Sequence, residues 1–442
     1  MKSYFEDDAL QVFVPLGETG SSKQQEQCIQ SQKQDVIYDA VVLDAKLRQS
    51  LMTVRSLGRR GKRVAAMETN SAIEKSKHIP TFSSRWCQES SIVPAYEQQT
   101  QPFLTHLKHF VDIAGARVLI SSSDEGIAVL RAHRAEIEQW GIRLALAKEA
   151  SLAIAIRKDH TLAVAERLGL GIPREVIITH VSEVSRALRE IGLPAVIKPN
   201  ESWLWDKHQG VRLTCKLVTT PEEAHIAVQQ LTQSGGMVLF QQFLSGRQES
   251  VSLLYAHGEV YARFAQWTKR AHPPLGGVST YRQSITLPED INAQAESLVR
   301  EIDLEGYSQV QFRRDNAGKP YLMEINPRLT SGIEIAVRAG IDFPYLVYQW
   351  ANEEHIDRIK GYRPGVKMCY LEGDLLTTLQ TIAQRGRPGV TPPTRALAEF
   401  LATFFVPTSY DYFDWQDLHP TWTAVAETID HVLYRLRHAS LK

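Results

Sequence analysis

Scarcity is the first guide to this sequence. Its four cysteines, Cys28, Cys87, Cys215 and Cys369, lie far apart, with no CxxC pair and no metal-ligand spacing. That excludes a disulfide scaffold and a zinc ribbon, and reads as reduced thiols in a cytoplasmic protein. Net charge is also missing: 50 Lys and Arg face 50 Asp and Glu. A protein that lives by neutralising phosphate backbones would show a basic excess, so nucleic acid is excluded as the main partner. No apolar run approaches the ~18 residues of a membrane-spanning helix. The opening MKSYFEDDALQ places acids where a secretory signal would carry a basic patch and an apolar core. No GxGxxG follows the first strand, which removes the usual dinucleotide fingerprint and with it a dehydrogenase. What is present is ordinary globular composition, 43% hydrophobic and 23% charged over 442 residues. Such a chain fills two or three domains of roughly 100–200 residues each. The expectation is a soluble, cytoplasmic, multidomain enzyme acting on small molecules.

Along the chain, residues 17–35 are rich in Gln, Ser and Lys and nearly devoid of apolar side chains, so residues 1–35 are expected to form a flexible arm. Order is expected from Val36. Strand-like runs (DVIYDAVVLDA, RVAAME, RVLISSS) alternate with helical patterns, which predicts an α/β domain with a parallel sheet over 36–150. After residue 150 strict alternation ends. Helix RKDHTLAVAERLGL, strand REVIITH, strand LPAVIKPN, strand GVRLTCKLV and strand MVLFQQFL are followed by ESVSLLYAHGEV, YARFAQWTK and YRQSITLP. This half reads as α+β with largely antiparallel sheets, divided at 151–236 and 237–350. Residues 351–442 read as a mostly helical extension packed on the second half.

The segment SQVQFRRDNAGKPYLMEINPR carries the most chemistry. DNAG (315–318) is a turn between two strands. Pairing across it sets Gln311 opposite Glu324 and Phe312 opposite Met323. Strand side chains alternate faces, so Gln311, Glu324, Asn326 and, beyond Pro327, Arg328 share one face, while Phe312 and Met323 face a core. Grouped oxygen donors suit a hard cation such as Mg²⁺, and an arginine beyond it could hold a developing oxyanion. Spacing alone equally suits a solvated edge hairpin. Two lysines stand in unusual places. Lys158 opens a helix, where a cation opposes the helix dipole, and Lys198 ends the apolar strand PAVIK. Each suits a polyphosphate partner or simple surface exposure.

The order of these pieces resembles the ATP-grasp superfamily of carboxylate–amine ligases, in a branch of uncharacterised, surface-polymer-related members. Those pieces are the α/β first domain, Lys158, Lys198 forty residues on, VLFQQFLSGRQESV, and the QF…MEINPR hairpin. PPLGGVSTYRQS and SYDYFDWQD look like motifs of that branch. The resemblance implies an α/β plus α+β fold: a Rossmann-like pre-ATP-grasp domain and two α+β subdomains clasping ATP. It implies ATP and Mg²⁺ as cofactors, one ion or two, with Mn²⁺ as a substitute. Lys158 and Lys198 would contact ATP phosphates, Gln241, Gln242, Phe243 and Leu244 would form the adenine hinge, and Glu249, eight residues after Gln241, would bind ribose. Glu324 and Asn326, with Gln311 third, would hold the metal, and Arg328 would steady the acyl phosphate and the tetrahedral intermediate. The loop RAHPPLGGVSTYRQ, through Gly276, Gly277, Ser279, Thr280 and Arg282, and the pair Ser331 and Gly332 would shape the substrate pocket, Arg282 being suited to a carboxylate.

Two departures stand out. Gln311 replaces the usual acid, and the phosphate lid NESWLWDKHQGVRL has one glycine, Gly210, and two tryptophans, Trp203 and Trp205, leaving Lys207 and His208 as side-chain substitutes. Ser122, Ser123 and Asp124, at a strand end, suit either helix capping or the substrate pocket. The implied activity is ATP-dependent amide formation between a small-molecule carboxylate and an amine, with an amino acid among the substrates and a homodimer compatible with the resemblance. The alternatives are a different nucleophile, a carrier-bound substrate, or a non-catalytic ATP-binding module.

Overall fold

The computed structural model describes residues 38–439 except 76, 97, 206–209, 234–235, 275 and 388–389. The expected arm (1–35), Lys207 and His208 lie outside the described residues, as does the Trp205 side chain. From Ile37 the chain is one unit, built on three main sheets.

The first sheet takes β1 (Ala40–Val42), β2 (Val64–Thr69), β3 (Cys87–Val93), β4 (Val118–Ile120) and β5 (Arg143–Leu144) in the order 3-2-1-4-5. Every pairing is parallel, as the alternating pattern predicts. β1 and β2 are buried along their whole length, because helices cover both faces of a parallel sheet. Their carboxyl ends, with that of β4, bring Asp44, Glu68 and Ser121–Asp124 to one edge.

The second sheet is antiparallel, in the order β10-β7-β11-β6, from β6 (Glu175–Ile178), β7 (Ala195–Pro199), β10 (Lys216–Val218) and β11 (Val238–Gln242). β8 (Trp203–Trp205) and β9 (Gly210–Arg212) form a separate hairpin. GVRLTCKLV is therefore two strands in two sheets rather than one. Because β11 pairs with β6 and β7, the break between this sheet and the next falls after Gln242, not at residue 237.

The third sheet joins β12 (Gln248–Ala256), β13 (Glu259–His272), β14 (Val278–Ser284), β15 (Gly306–Arg314), β16 (Pro320–Asn326), β17 (Lys367–Cys369) and β18 (Ser409–Tyr410), in the order 16-15-12-13-14-17-18. The β12–β13 turn sits at His257 and Gly258, both with positive φ, which matches the right-handed twist of a tight hairpin. β13 thus starts at Glu259, earlier than the sequence pattern suggests. The C-terminal extension adds β17 and β18 to this sheet, and it also reaches the first domain, where Arg55 Nε lies 3.0 Å from Asp417 Oδ2. Among the described residues, no helix is long and apolar enough to cross a membrane.

Candidate active site

The β15–β16 hairpin fixes the centre of the site. Gln311 pairs with Glu324 and Gln309 with Asn326, as alternation across the DNAG turn requires. The Asp315 carboxylate ties that turn, accepting from the Ala317 and Lys319 amides at 2.9 Å each. A register shift follows Gln311, so Phe312 pairs with Leu322 and Met323 becomes the extra residue of a bulge. Phe312 and Leu322 are fully buried. Met323, expected beside Phe312 in the core, instead lines a cavity with Glu324.

Directly opposed residues share a face, and the pairings carry one row across the sheet: Glu324, Gln311, Ser250, Gln266 and Ser284. Gln248 joins this face, its Nε2 donating to Gln311 Oε1 at 3.5 Å, and Asn326 Nδ2 donates to Glu324 Oε1 at 3.2 Å. Gln311, Glu324 and Asn326 therefore come together as expected. Among the described residues no group of three or more His, Cys, Asp and Glu is placed to hold a metal ion. A cation here would rest on one carboxylate and neighbouring amide oxygens, a donor set that fits Mg²⁺ completed by phosphate oxygens.

Both lysines are buried, each 7% exposed. Lys158 starts the helix Lys158–Arg167, and Asn200, just past β7, ties it in place. The Asn200 carbonyl accepts from the Lys158 amide at 3.1 Å and from Lys158 Nζ at 3.4 Å, and its Oδ1 accepts from the Asp159 amide at 3.0 Å. Burial lowers the Lys198 pKa, with the Cys215 and Glu324 charges opposing and Lys158 adding to the fall. Glu175 also acts on Lys198, and Lys158 in turn helps to lower Asp124, so both ammonium groups sit among carboxylates at this end of the site.

Arg328 meets Asp124, the first residue of the helix Asp124–Ala132, in a bidentate pair: Nε to Oδ1 at 2.6 Å and Nη2 to Oδ2 at 3.0 Å. Burial works to lower the Arg328 pKa, but the Asp124 carboxylate outweighs it and the net shift is upward. Burial works to raise Asp124, and Arg328 prevails there too, holding it below the usual carboxylate range. Ser123 performs the helix capping, its Oγ accepting from the Gly126 amide at 2.8 Å. The capping and pocket readings of this strand end are thus divided between neighbours. Sequence spacing offers no signal for the Asp124–Arg328 pair, whose members stand 204 positions apart.

The other expected site residues divide. Gln241 is buried, with Nε2 donating to Glu175 Oε2 at 2.9 Å, and Gln242 Oε1 accepts from Arg174 Nε at 2.9 Å. Leu244 is buried and Phe243 half-buried next to them. Glu249 does not join the site face. It lies one residue out of phase with Gln248 and Ser250, opposite Phe312 and Trp267, where Arg314 Nε (2.7 Å) and Arg247 Nε (3.0 Å) hold it. Gln248, rather than Glu249, shares the face of Gln311.

Arg282 lies on the site face but is fully buried, its Nη2 donating to Asp411 Oδ1 at 2.5 Å, so it is closed to a substrate carboxylate. Gly276 and Gly277 are exposed at the far end of the β13–β14 loop. Gly277 has φ +153°, and a Cβ there would stand 2.3 Å from the His272 carbonyl oxygen. Ser279 is half-buried and pairs with Ala271, away from the hairpin. A Cβ on Gly332 would meet Gln266 Nε2 at 2.8 Å, so Ser331 and Gly332 bring the chain after Arg328 back onto the polar row.

A cavity of about 450 Å³ opens at the hairpin, where Glu324 and Asn326 meet Lys158 and Asp124. Trp203 and Leu204 from β8 line it, and Ile127 and Ile156 add an apolar wall. Lys198, residues 241–244 and the Gly276–Arg282 segment do not line it.

Residues 236–373 match the family described as ATP-grasp in the biosynthetic pathway with Ter operon. A D-alanine–D-alanine ligase of Nitrosospira multiformis is 26% identical over 221 residues, 46% of this chain and 68% of the relative. One from Ectopseudomonas mendocina is 27% identical over 213 residues, 44% of this chain and 64% of the relative. The chain thus spans about two thirds of the length of these relatives. Among solved structures, a biotin carboxylase–β,γ-ATP complex from Campylobacter jejuni superposes with TM-score 0.59 at 13% identity, over 74% of each chain. An L-amino acid ligase from Bacillus licheniformis superposes with TM-score 0.56 at 18% identity, over 75% of this chain and 78% of that one. Likeness at this level of identity concerns the fold.

Proposed function

From its membership of the ATP-grasp superfamily we propose that this chain is an ATP- and Mg²⁺-dependent carboxylate–amine ligase, with an amino acid among its substrates. The observation that carries this reading is the meeting of Glu324, Asn326, Lys158 and Asp124 at one cavity, with Arg328 held behind its wall by the Asp124 carboxylate. A non-catalytic nucleotide binder has no need of an arginine held in a fixed orientation beside the metal-ligand positions.

In this reading Lys158 and Lys198 hold the ATP phosphates, residues 241–244 hold adenine, and Gln248 is better placed than Glu249 for the ribose hydroxyls. Glu324, Asn326 and Gln311 would hold Mg²⁺, which supplies charge neutralisation at the transferring phosphate when bound. The substrate carboxylate attacks the γ-phosphorus and ADP leaves; the amine then attacks the acyl carbon, loses a proton, and phosphate departs. Positioning and charge balance are the protein's contribution to the first step. In the second, Arg328 donates to the oxygen that gains charge, and Asp124 fixes the plane of its guanidinium. Substrate access is through the cavity and past Ser331 and Gly332, while Arg282 acts as internal support. Such chemistry draws on ATP, and a cytoplasmic location supplies it.

The test is ADP and phosphate release with Mg²⁺ and ATP against pools of amino acids and simple carboxylic acids, with products detected by mass. A pool that triggers release and yields a mass equal to acid plus amine minus water establishes the ligase and names its substrates. Absence of ATP binding by calorimetry refutes the assignment.

A further inference from the structure

The cavity at the hairpin has a direction. Asp124, Ile127, Ala128, Arg131 and Ala132 fall at i, i+3, i+4, i+7 and i+8 along the helix Asp124–Ala132, so one face of that helix forms a whole wall. Asp124 stands at the inner end with Glu324 and Lys158, and the exposed Ala132 marks the mouth. Eight helical steps make that wall about 12 Å long. Ala128 and Ala132 are too small to fill the space beside the helix, and Ile127, Ile156, Leu162 and Met323 line it with apolar surface. At the mouth Arg131 is engaged, its Nε donating to Glu149 Oε2 at 2.9 Å. Glu201 is not: among the described residues this half-buried wall carboxylate makes no hydrogen bond or ion pair. It follows Asn200, whose carbonyl accepts from Lys158 Nζ, and so belongs to the inner part of the cavity. Burial raises its pKa against the more distant Arg157 and Arg131.

Building on the ligase reading, we propose that the carboxylate substrate is an α-amino acid with a large apolar side chain, lying lengthwise in this cavity. Its three chemical groups match three parts of the wall. The carboxylate reaches the inner end, where Lys158 and the Glu324 and Asn326 metal positions meet the phosphoryl group being transferred. The ammonium, on the neighbouring carbon, meets Glu201, since a partly buried carboxylate is costly until a cation pairs with it. The side chain runs toward the mouth over Ile127, Ile156, Leu162 and Met323 and takes their surface out of water. Size points the same way. The cavity holds about 450 Å³, within the range of roughly 300–1,000 Å³ that encloses a whole ligand. Alanine would occupy only the inner end of the wall and leave the apolar stretch wet.

Hydroxylamine in place of the natural amine isolates this substrate. Its nitrogen attacks the acyl carbon and loses a proton, phosphate leaves, and the hydroxamate formed is read by its ferric complex. The full chain with Mg²⁺, ATP and hydroxylamine is offered leucine, methionine, phenylalanine, alanine, glycine and aspartate singly, the chiral ones as either enantiomer. Leucine or phenylalanine is expected to exceed alanine in kcat/KM by about 10-fold or more, the least that one methylene in an apolar pocket gives. Ala128→Trp, which fills the middle of the wall, is expected to bring that ratio to one or below. Glu201→Gln is expected to raise KM for leucine about 10-fold, the loss of a charge-assisted hydrogen bond, and to remove most of leucine's advantage over 4-methylpentanoate, which lacks the amino group. Hydroxamate formed fastest from glycine, alanine or aspartate would overturn the proposal and leave the ligase standing, as would ratios that neither variant moves. Hydroxamate from none of the six would overturn it too, and calorimetry with ATP separates the two failures. Intact ATP binding leaves a ligase for some other carboxylate, whereas absent binding removes the ligase reading as well.

Discussion

Removing the Asp411 carboxylate should destabilise the fold more than any change at the cavity. Asp411 is 1% exposed at its side chain and serves two guanidinium groups, Arg282 (0%) and Arg48 (9%). Arg48 also lies over the Tyr370 ring at 4.0 Å. Asp411→Ala would leave two buried cations facing each other across a cavity, where loss of one partner of a buried ion pair costs about 3–5 kcal/mol. The pH dependence has a definite sign. Burial works to raise the Asp411 pKa, but Arg282 and Arg48 outweigh it and hold it below the usual range. A depressed folded-state pKa means the stabilisation is complete above the unfolded value of about 3.9 and is lost as pH falls through the folded one. Urea unfolding followed by circular dichroism should thus show a constant gap between wild type and Asp411→Ala from pH 5 to 8, closing on further acidification. The triple variant Asp411→Ala, Arg282→Met, Arg48→Met should recover much of the loss, since the penalty belongs to unpaired charge. A gap below about 1 kcal/mol at pH 7, the size expected of an exposed pair, or one that widens in acid, would refute the reasoning.

Glu324→Ala should reduce ADP release to background in a coupled assay; normal turnover would remove it from the metal set. Arg328→Ala should leave ATP binding nearly intact by calorimetry while lowering kcat by about 10²–10³, the usual loss on deleting an oxyanion donor. For Asp124→Asn the expected result is a kcat reduced by up to about 10²-fold through misplacement of Arg328, with KM for ATP unchanged; a raised KM at constant kcat would contradict the positioning role. Burial, with Asp44 nearby, pushes the Glu68 carboxyl up to about 7. Its stabilising contribution is then full below the ordinary carboxylate pKa and lost as pH rises through 7, so Glu68→Gln should flatten the fall in melting temperature between pH 5 and 8.

Local rules made part of this molecule readable. A turn sequence with strict alternation places Gln311 opposite Glu324, and apolar strands alternating with helices require a parallel first sheet. The rules fail where parity or distance intervenes. An eight-residue offset from Gln241 selects Glu249, yet side-chain direction on β12 puts Gln248, not Glu249, on the site face. The bulge after Gln311 moves Met323 from core to cavity without any glycine to announce it. Asp411 lies 129 positions from Arg282, and no periodicity connects them. In Leu371–Ala383 the i, i+4 leucine stripe normally marks the inward face. Here Arg270, near the end of the inner strand β13 and with its side chain 10% exposed, requires a carboxylate, and Asp374 can reach it only if the leucines turn outward.

The two arginines that the chain brings to the site face have opposite dispositions, and this separates chemistry from support. A guanidinium has five N–H donors. Asp124 takes Arg328 Nε and one proton of Nη2, which leaves three donors along the edge facing away from the carboxylate. Arg282 places both Nη groups on Asp411 and one also on the Met368 sulfur, with Nε buried and unpartnered among the described residues. One arginine is oriented yet still able to donate, whereas the other is enclosed. Lysine at either position keeps the charge and loses the fork, so the variants should part company. Arg328→Lys should abolish ligation at nearly wild-type stability, and Arg282→Lys should lower the urea midpoint while the folded fraction retains turnover. Ligation lost in Arg282→Lys at full stability would place that guanidinium in the chemistry after all.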